Sequence, residues 1–226
     1  MNKKSAWMLC LLALALCASL PAMAGIVYNN TLPTGSNCCS GWTIGGSGSL
    51  VGLVMDAQGF NSGPGGGGTV SDIAIDIGYA AGDNGASVQI WTSVNNMPGS
   101  PIGSLGSLNN AATFGSLCPI PCELNAFNTG GTLFANTDYF VVILADATTW
   151  DAWNQNSNFI TGTLEQDTGS GWNVFAGQTL GGMCIATSGG AQCGVGGGTT
   201  PEPSSLLLLG TGLVGAFGVI RRKLNR

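Results

Sequence analysis

The chain has 226 residues, 11 Asp and Glu, six Lys and Arg, no His, and a formal net charge of −5. All six basic residues sit at the ends: Lys3 and Lys4, then Arg221, Arg222, Lys223 and Arg226. The ten carboxylates other than Glu202 therefore share the stretch from Gly25 to Thr200 with no cationic side chain. Nucleic-acid binding, which needs Lys and Arg to neutralise phosphates, is excluded. Internal salt bridges are excluded too, so the carboxylates are expected mainly as solvated surface groups, the alternatives being backbone hydrogen bonds or a bound cation.

The first 24 residues read as a signal peptide. Lys3 and Lys4 form a short positive region, residues 6–20 are continuously apolar, and Ala22-Met23-Ala24 places small residues where a signal peptidase reads them. Cleavage before Gly25 follows. The rival is a lipoprotein cut before Cys17, but Leu16 stands where a small residue is wanted.

Residues 25–193 are one domain's worth of chain. With 38 Gly in the whole sequence, long helices are disfavoured and short strands with many turns are favoured. Residues 50–60 are expected to give one or two strands before a glycine-rich loop at 63–68. In 69–79, Ser71, Ile73, Ile75, Ile77 and Tyr79 alternate with Val70, Asp72, Ala74, Asp76 and Gly78. That is a half-buried strand with its carboxylates facing water. Gly82-Asp83-Asn84-Gly85 is a turn signal, so 69–79 and 87–92 are expected to pair as a hairpin. A second turn at Asn96-Met97-Pro98-Gly99 leads into a strand at 102–108. Residues 138–145, Tyr-Phe-Val-Val-Ile-Leu at their centre, read as a central strand buried on both faces. Strands at 159–164, 172–176 and 183–187 complete the set, and residues 194–200 form a Gly/Thr linker.

Six cysteines remain after the signal peptide: Cys38, Cys39, Cys118, Cys122, Cys184 and Cys193. In an exported chain they read as a disulfide framework. Cys118–Cys122 and Cys184–Cys193 are close enough for local loops, and Cys38 and Cys39 then pair with each other or reach elsewhere. No metal centre and no cofactor are expected, since there is no His and no C-x-x-C spacing.

Catalysis through Ser-His-Asp or Cys-His is excluded, because the body has neither His nor Lys. A glycosidase-like carboxylate pair, such as Glu123 with Glu165, has the right chemistry, but nothing in the sequence brings the two together. Asp83 and Asn84 lack the rest of a Ca²⁺ loop and read as a turn. Trp150-Asp151-Ala152-Trp153 is the candidate recognition segment: two indoles in a loop stack on sugar rings while Asp151 accepts hydroxyl hydrogen bonds. The competing reading is that the tryptophans cap the core. The expectation is a non-enzymatic protein, with a carboxylate-dependent hydrolase and a ligand-free coat protein as alternatives.

The C-terminus reads Pro201-Glu202-Pro203, then residues 204–220 without a charge, then Arg221, Arg222, Lys223 and Arg226. Seventeen helical residues span about 25 Å, slightly short of a ~30 Å hydrocarbon core, and the flanking basic side chains make up the difference by snorkelling. The basic cluster stays cytoplasmic and leaves the body outside the inner membrane. Proline locks φ near −65° and removes an N–H, so the tripeptide stays extended outside the helix, with Glu202 presented at the bilayer surface.

This tail resembles the PEP-CTERM sorting signal of Gram-negative bacteria that make exopolysaccharide. The resemblance implies recognition by an exosortase-type transpeptidase and a place at the cell surface or in the extracellular matrix. The alternative is a plain stop-transfer anchor with a stiff linker. Within the body, Val88-Gln89-Ile90-Trp91 through Pro98-Gly99, Ile102-Gly103-Ser104-Leu105, and then 133–142 resemble the surface domains called choice-of-anchor. Several short strands with regular turns argue for an all-β, jelly-roll-like β-sandwich, and the resemblance implies that fold and surface display only; extracellular polysaccharide is the partner considered on the strength of Trp150, Asp151 and Trp153.

The signal-peptide reading is checked by N-terminal sequencing of the exported protein. A mature chain starting at Gly25 is expected; one starting at a lipid-modified Cys17 refutes it.

Overall fold

In the computed structural model, the residues described are 25–31, 36–115, 123–127, 129–188 and 193. They carry fourteen strands and no helix. In chain order these are β1 (Ile26–Asn29), β2 (Ser36–Gly45), β3 (Met55–Asn61), β4 (Gly68–Ala81), β5 (Gly85–Val94), β6 (Met97–Asn109) and β7 (Ala112–Thr113). There follow β8 (Glu123–Phe127), β9 (Thr132–Leu133), β10 (Asp138–Ala145), β11 (Trp150–Asn156), β12 (Thr161–Asp167), β13 (Trp172–Thr179) and β14 (Met183–Thr187). One sheet runs β1-β14-β4-β11-β2, with β7, β8 and β9 also paired to β4; the other runs β13-β12-β3-β10-β5-β6. The protein body is an all-β sandwich of jelly-roll type. The predicted signal peptide, linker, Pro-Glu-Pro and span all lie outside the described residues, and no helix among those described is long and apolar enough to cross a membrane.

The alternation in β4 sets the sandwich. Ile73, Ile75 and Ile77 are fully buried and meet Val88, Ile90, Val141 and Ile143 of the opposite sheet in one core. As the sequence predicts, β10 is internal, flanked by β3 and β5, and its residues 139–143 are buried. A strand with neighbours on both edges and cover on both faces is a continuous apolar run.

Four expectations need correction. The segments 69–79 and 87–92 do not form a hairpin: β4 pairs with β14, β11 and β8, and β5 pairs with β10 and β6. The turn between them, with Gly82 at φ +85°, carries the chain from one sheet to the other. The second turn is Asn95-Asn96, not 96–99. Both residues have positive φ (54° and 59°) and Val94 pairs with Met97, which is a two-residue turn whose twist matches the strands. Residues 159 and 160 precede β12 rather than belonging to it, with Phe159 itself at positive φ. Lastly, Trp150 to Trp153 are in strand β11, not a loop.

A further correction concerns charge. Among the described residues Asp56, Asp72, Asp76, Asp151 and Glu165 are all buried, where solvated carboxylates were expected. For Asp72 the reason is visible. The outer face of β4 is covered by a small cluster of Ala74, Cys184, Ala186 and Cys193. A disulfide joins Cys184 to Cys193, holding Cys193 where its amide N–H donates to Asp72 Oδ2 at 2.9 Å. Cys118 and Cys122 lie outside the described residues; Cys38 and Cys39 are on β2.

The disulfide thus fixes both a cover and a hydrogen-bond donor. Replacing Cys184 and Cys193 together by Ala is expected to cost about 2–5 kcal/mol in urea unfolding. A loss below about 1 kcal/mol shows that the cover holds without the link.

Candidate functional site

The segment chosen from sequence for sugar recognition is not available to a ligand. Trp153 is fully buried among Ile44, Ile77 and Met183 in the core, and its Nε1–H donates to the Gly182 carbonyl at 3.0 Å. Asp151 faces the same interior, opposite Ile44 and Tyr79, and is 1% exposed. Trp150 is half-buried on the other face. Position along a β-strand decides this: residues two apart share a face, so the strand that buries Trp153 buries Asp151 with it. Asp83 and Asn84 form a turn. Asp83 accepts from Thr148, while Asn84 donates to the Ala111 carbonyl and accepts from its amide.

Glu123 and Glu165 are not brought together. Glu123 is on β8, paired with β4 in one sheet. Glu165 is on β12 of the other sheet, beside Ala57 of β3, and so points away from the core that separates the two sheets.

The outer face of the six-stranded sheet holds a site that the sequence reading passed over. Ala57, Phe140 and Val142 form a second buried cluster there, with Trp91, Leu144 and Trp172 packed on it. The register builds it in rows. Glu165 lies beside Ala57, Ala57 beside Val142, and Val142 beside Gln89. Trp91 lies beside Phe140, and Trp172 beside Asp167. The Phe140 ring lies over Gly59, 3.4 Å from where a Cβ would stand. Trp91 and Trp172 meet edge to face with ring centroids 6.1 Å apart and planes at 83°. Neighbouring strands are ~4.8 Å apart, so positions on β5 and β13 of a flat sheet are ~19 Å apart. Both indoles therefore lie inward over β12, β3 and β10, on a face that curls toward them.

Two polar atoms on this face lack a protein partner. Glu165 is 2% exposed and its Oε2 has no hydrogen bond, and the Trp91 Nε1–H has none either. A buried orphan of this kind costs about 1–3 kcal/mol and calls for an explanation. Burial pushes the Glu165 carboxyl up to about 7, its own amide opposing. A cavity of ≈ 260 Å³ elsewhere, lined by Thr92, Thr137, Phe134, Asp138 and Tyr139 among others, differs in this respect. There Asp138 accepts from Asn61, Tyr139 Oη accepts from the Phe134 amide, and both threonine hydroxyls donate to carbonyls.

Among the described residues no group of three or more His, Cys, Asp or Glu is placed to hold a metal ion. Asp56 faces the inter-sheet core, where burial raises it to about 7 against one hydrogen bond from Gln166. Asp151 is also raised to about 7, first by burial and then by the charge of Asp146.

Together the fold and this face define a class: an all-β sandwich with an aromatic-lined outer face and no basic chemistry of its own. Residues 199–223 match the PEP-CTERM protein-sorting motif. The chain therefore carries the tag of an exported, membrane-anchored cell-surface protein sorted through an exosortase. No curated protein matches it.

The raised carboxyls dictate a pH response. Asp56, Asp151 and Glu165 bind protons more tightly when folded than their ordinary values of 3.8 and 4.5 allow when unfolded. Below about pH 4 both states are protonated and nothing is lost. Between about pH 4 and 7 the unfolded chain has released these protons while the folded state still holds them, so stability falls as pH rises across that window, until above about 7 the folded state is ionised too. Thermal unfolding is expected several degrees lower at pH 8 than at pH 5, a kcal/mol being worth about 2–4 °C at this size. Asp56→Asn should remove part of the slope. A Tm that rises between pH 5 and 8 contradicts the burial.

Proposed function

We propose that this protein is a non-enzymatic component of the cell surface or extracellular matrix of a Gram-negative bacterium, delivered by its C-terminal tag and binding extracellular polysaccharide. The observation that carries the reading is the coincidence, in one chain, of a PEP-CTERM motif at residues 199–223 with a body whose outer face presents two tryptophans. Sorting to the surface puts the body among polysaccharides, and indole faces are what sugar rings stack on.

The lack of an enzyme is supported by chemistry. Without His or Lys in the body, the roles of general acid and base fall first to carboxylates. The pair considered from sequence is split between two sheets. Asp151 does sense the charge of Asp146, but Asp151 is 1% exposed, so the pair does not flank an open cleft. A ligand-free coat protein would share the tag and the sandwich, and is separated from the present reading by polysaccharide binding alone.

The sorting step depends on the tripeptide more than on the span. A stop-transfer anchor needs only the apolar stretch and the Arg-rich end and is indifferent to Pro201-Glu202-Pro203. A membrane transpeptidase must find a fixed, extended point at the outer edge of the span, where Glu202 meets a cationic reader. In a host carrying an exosortase, the native chain is expected to lose its tail and to reach the cell surface or medium. The Pro201→Ala/Glu202→Ala/Pro203→Ala variant should remain in the membrane at full length. Should both stay there uncleaved, the tail is only an anchor.

A further inference from the structure

The geometry points to the outer face of the six-stranded sheet, between Trp91 and Trp172, as the binding site, and to a neutral polysaccharide as its ligand. This inference rests on the polysaccharide-binding reading and deepens it by naming the residues and the ligand class.

Two buried polar atoms on this face have no partner among the described residues. Glu165 Oε2 is an acceptor and Trp91 Nε1–H is a donor, and both are on one otherwise apolar face built from Ala57, Phe140 and Val142. A sugar hydroxyl both donates and accepts, so one class of group serves both atoms. The apolar faces of sugar rings suit the surrounding indoles. Peptide ligands that add to a sheet need a free strand edge, whereas both orphans, Glu165 and Trp91, are on strands with neighbours on both sides, and only Trp172 is on the edge strand β13.

Charge then narrows the ligand. No Lys, Arg or His occurs between Gly25 and Thr200. The face itself carries Glu165, with Asp167 two residues along on the same side of β12. An acidic polysaccharide would bring carboxylates or sulfates against carboxylates with no cation to pair them. A neutral chain meets no such repulsion, and its hydroxyls complete the hydrogen bonding of a buried carboxylate.

The closed arrangement also says how the site works. Glu165 is buried, and on the same face of the sheet the two indoles meet edge to face over Ala57, Phe140 and Val142. Binding therefore exchanges the Trp91–Trp172 contact for stacking of each indole on a sugar ring, and brings a sugar hydroxyl to Glu165 Oε2. Val174, beside Glu165 in the register and 53% exposed, extends the apolar floor toward the open edge at β13.

The test is affinity electrophoresis and calorimetry of the full-length chain in mild detergent. The probes are mixed-linkage β-glucan, glucomannan and galactomannan as neutral polymers, with alginate and polygalacturonate as acidic ones. At least one neutral polymer is expected to bind and the acidic ones not. Trp172→Ala and Glu165→Gln should each weaken binding by about tenfold or more, and Trp91→Phe, which keeps a ring and removes the N–H, by about tenfold. Phe134→Ala, at the separate cavity, should leave it unchanged. Glu165→Gln removes a buried charge, so it should unfold no earlier than the native chain at pH 8, and a loss of binding there is a loss of contact. Binding that survives all three variants within twofold, or is lost with Phe134→Ala, overturns this site but keeps the polysaccharide reading. Binding to acidic polymers alone overturns the ligand class. No binding to any of the five polymers overturns both.

Discussion

A body with ten carboxylates and no cation has to be folded without a single ion pair, and much of its internal arrangement follows from that constraint. Burying a charge is tolerable only if the charge is paired, hydrogen-bonded or neutralised by a proton. Pairing is closed to it. Asp72 takes the second route, accepting from the Cys193 amide, and Asp56 does so in part, through Gln166. The third route is open to Asp56, Asp151 and Glu165, whose carboxyls burial raises to about 7. The result is a sandwich whose buried carboxyls, inside the core and on one outer face, rely on hydrogen bonds and protons where another protein would use lysine or arginine.

The same constraint gives the disulfide a role beyond closing a loop. Cys184 is the second residue of β14, opposite Ala74 on β4, and Cys193 is packed over the same face. The bond therefore ties the last described residue of the body to the sheet interior, nine residues back along the chain. The tail that carries the sorting motif begins only a few residues later. Any pull on that tail reaches the body through a covalent link to a strand hydrogen-bonded on both edges, β1 on one side and β4 on the other.

The two faces of the six-stranded sheet are used differently. Its inner face supplies Val88, Ile90, Val141 and Ile143 to the core shared with the other sheet. Its outer face carries a smaller apolar cluster roofed by two indoles. In an antiparallel sandwich the outer face is ordinarily polar. Here β10 alternates apolar residues onto both sides, which is why its sequence reads as a continuous hydrophobic run. A run of that kind announces a doubly covered strand; it does not say whether the second cover is another layer of protein or a surface kept for a ligand.

The amino-acid sequence by itself determined the all-β class, the buried face of β4 and the central place of β10, because alternation with a period of two is a local property of the chain. It determined the sorting tail as well, since Pro201-Glu202-Pro203, an apolar stretch and an Arg-rich end are contiguous and need no fold to be read. It excluded every mechanism that needs histidine or lysine in the body. Tertiary structure decided the rest. Strand partners were illegible, because the turn after β4 looks the same whether the chain folds back or crosses to the other sheet. The buried state of Asp72 depends on a cysteine 121 residues away. Trp150 to Trp153 read as a loop because two tryptophans around an aspartate carry no clean alternation, and only pairing with β2 and β4 sends Asp151 and Trp153 inward. Trp91, Glu165 and Trp172 are spread over 82 residues, and no local pattern joins them. They share a face because β5, β12 and β13 take their places in one sheet, and that order is fixed by long-range hydrogen bonding, which leaves no local trace in the sequence.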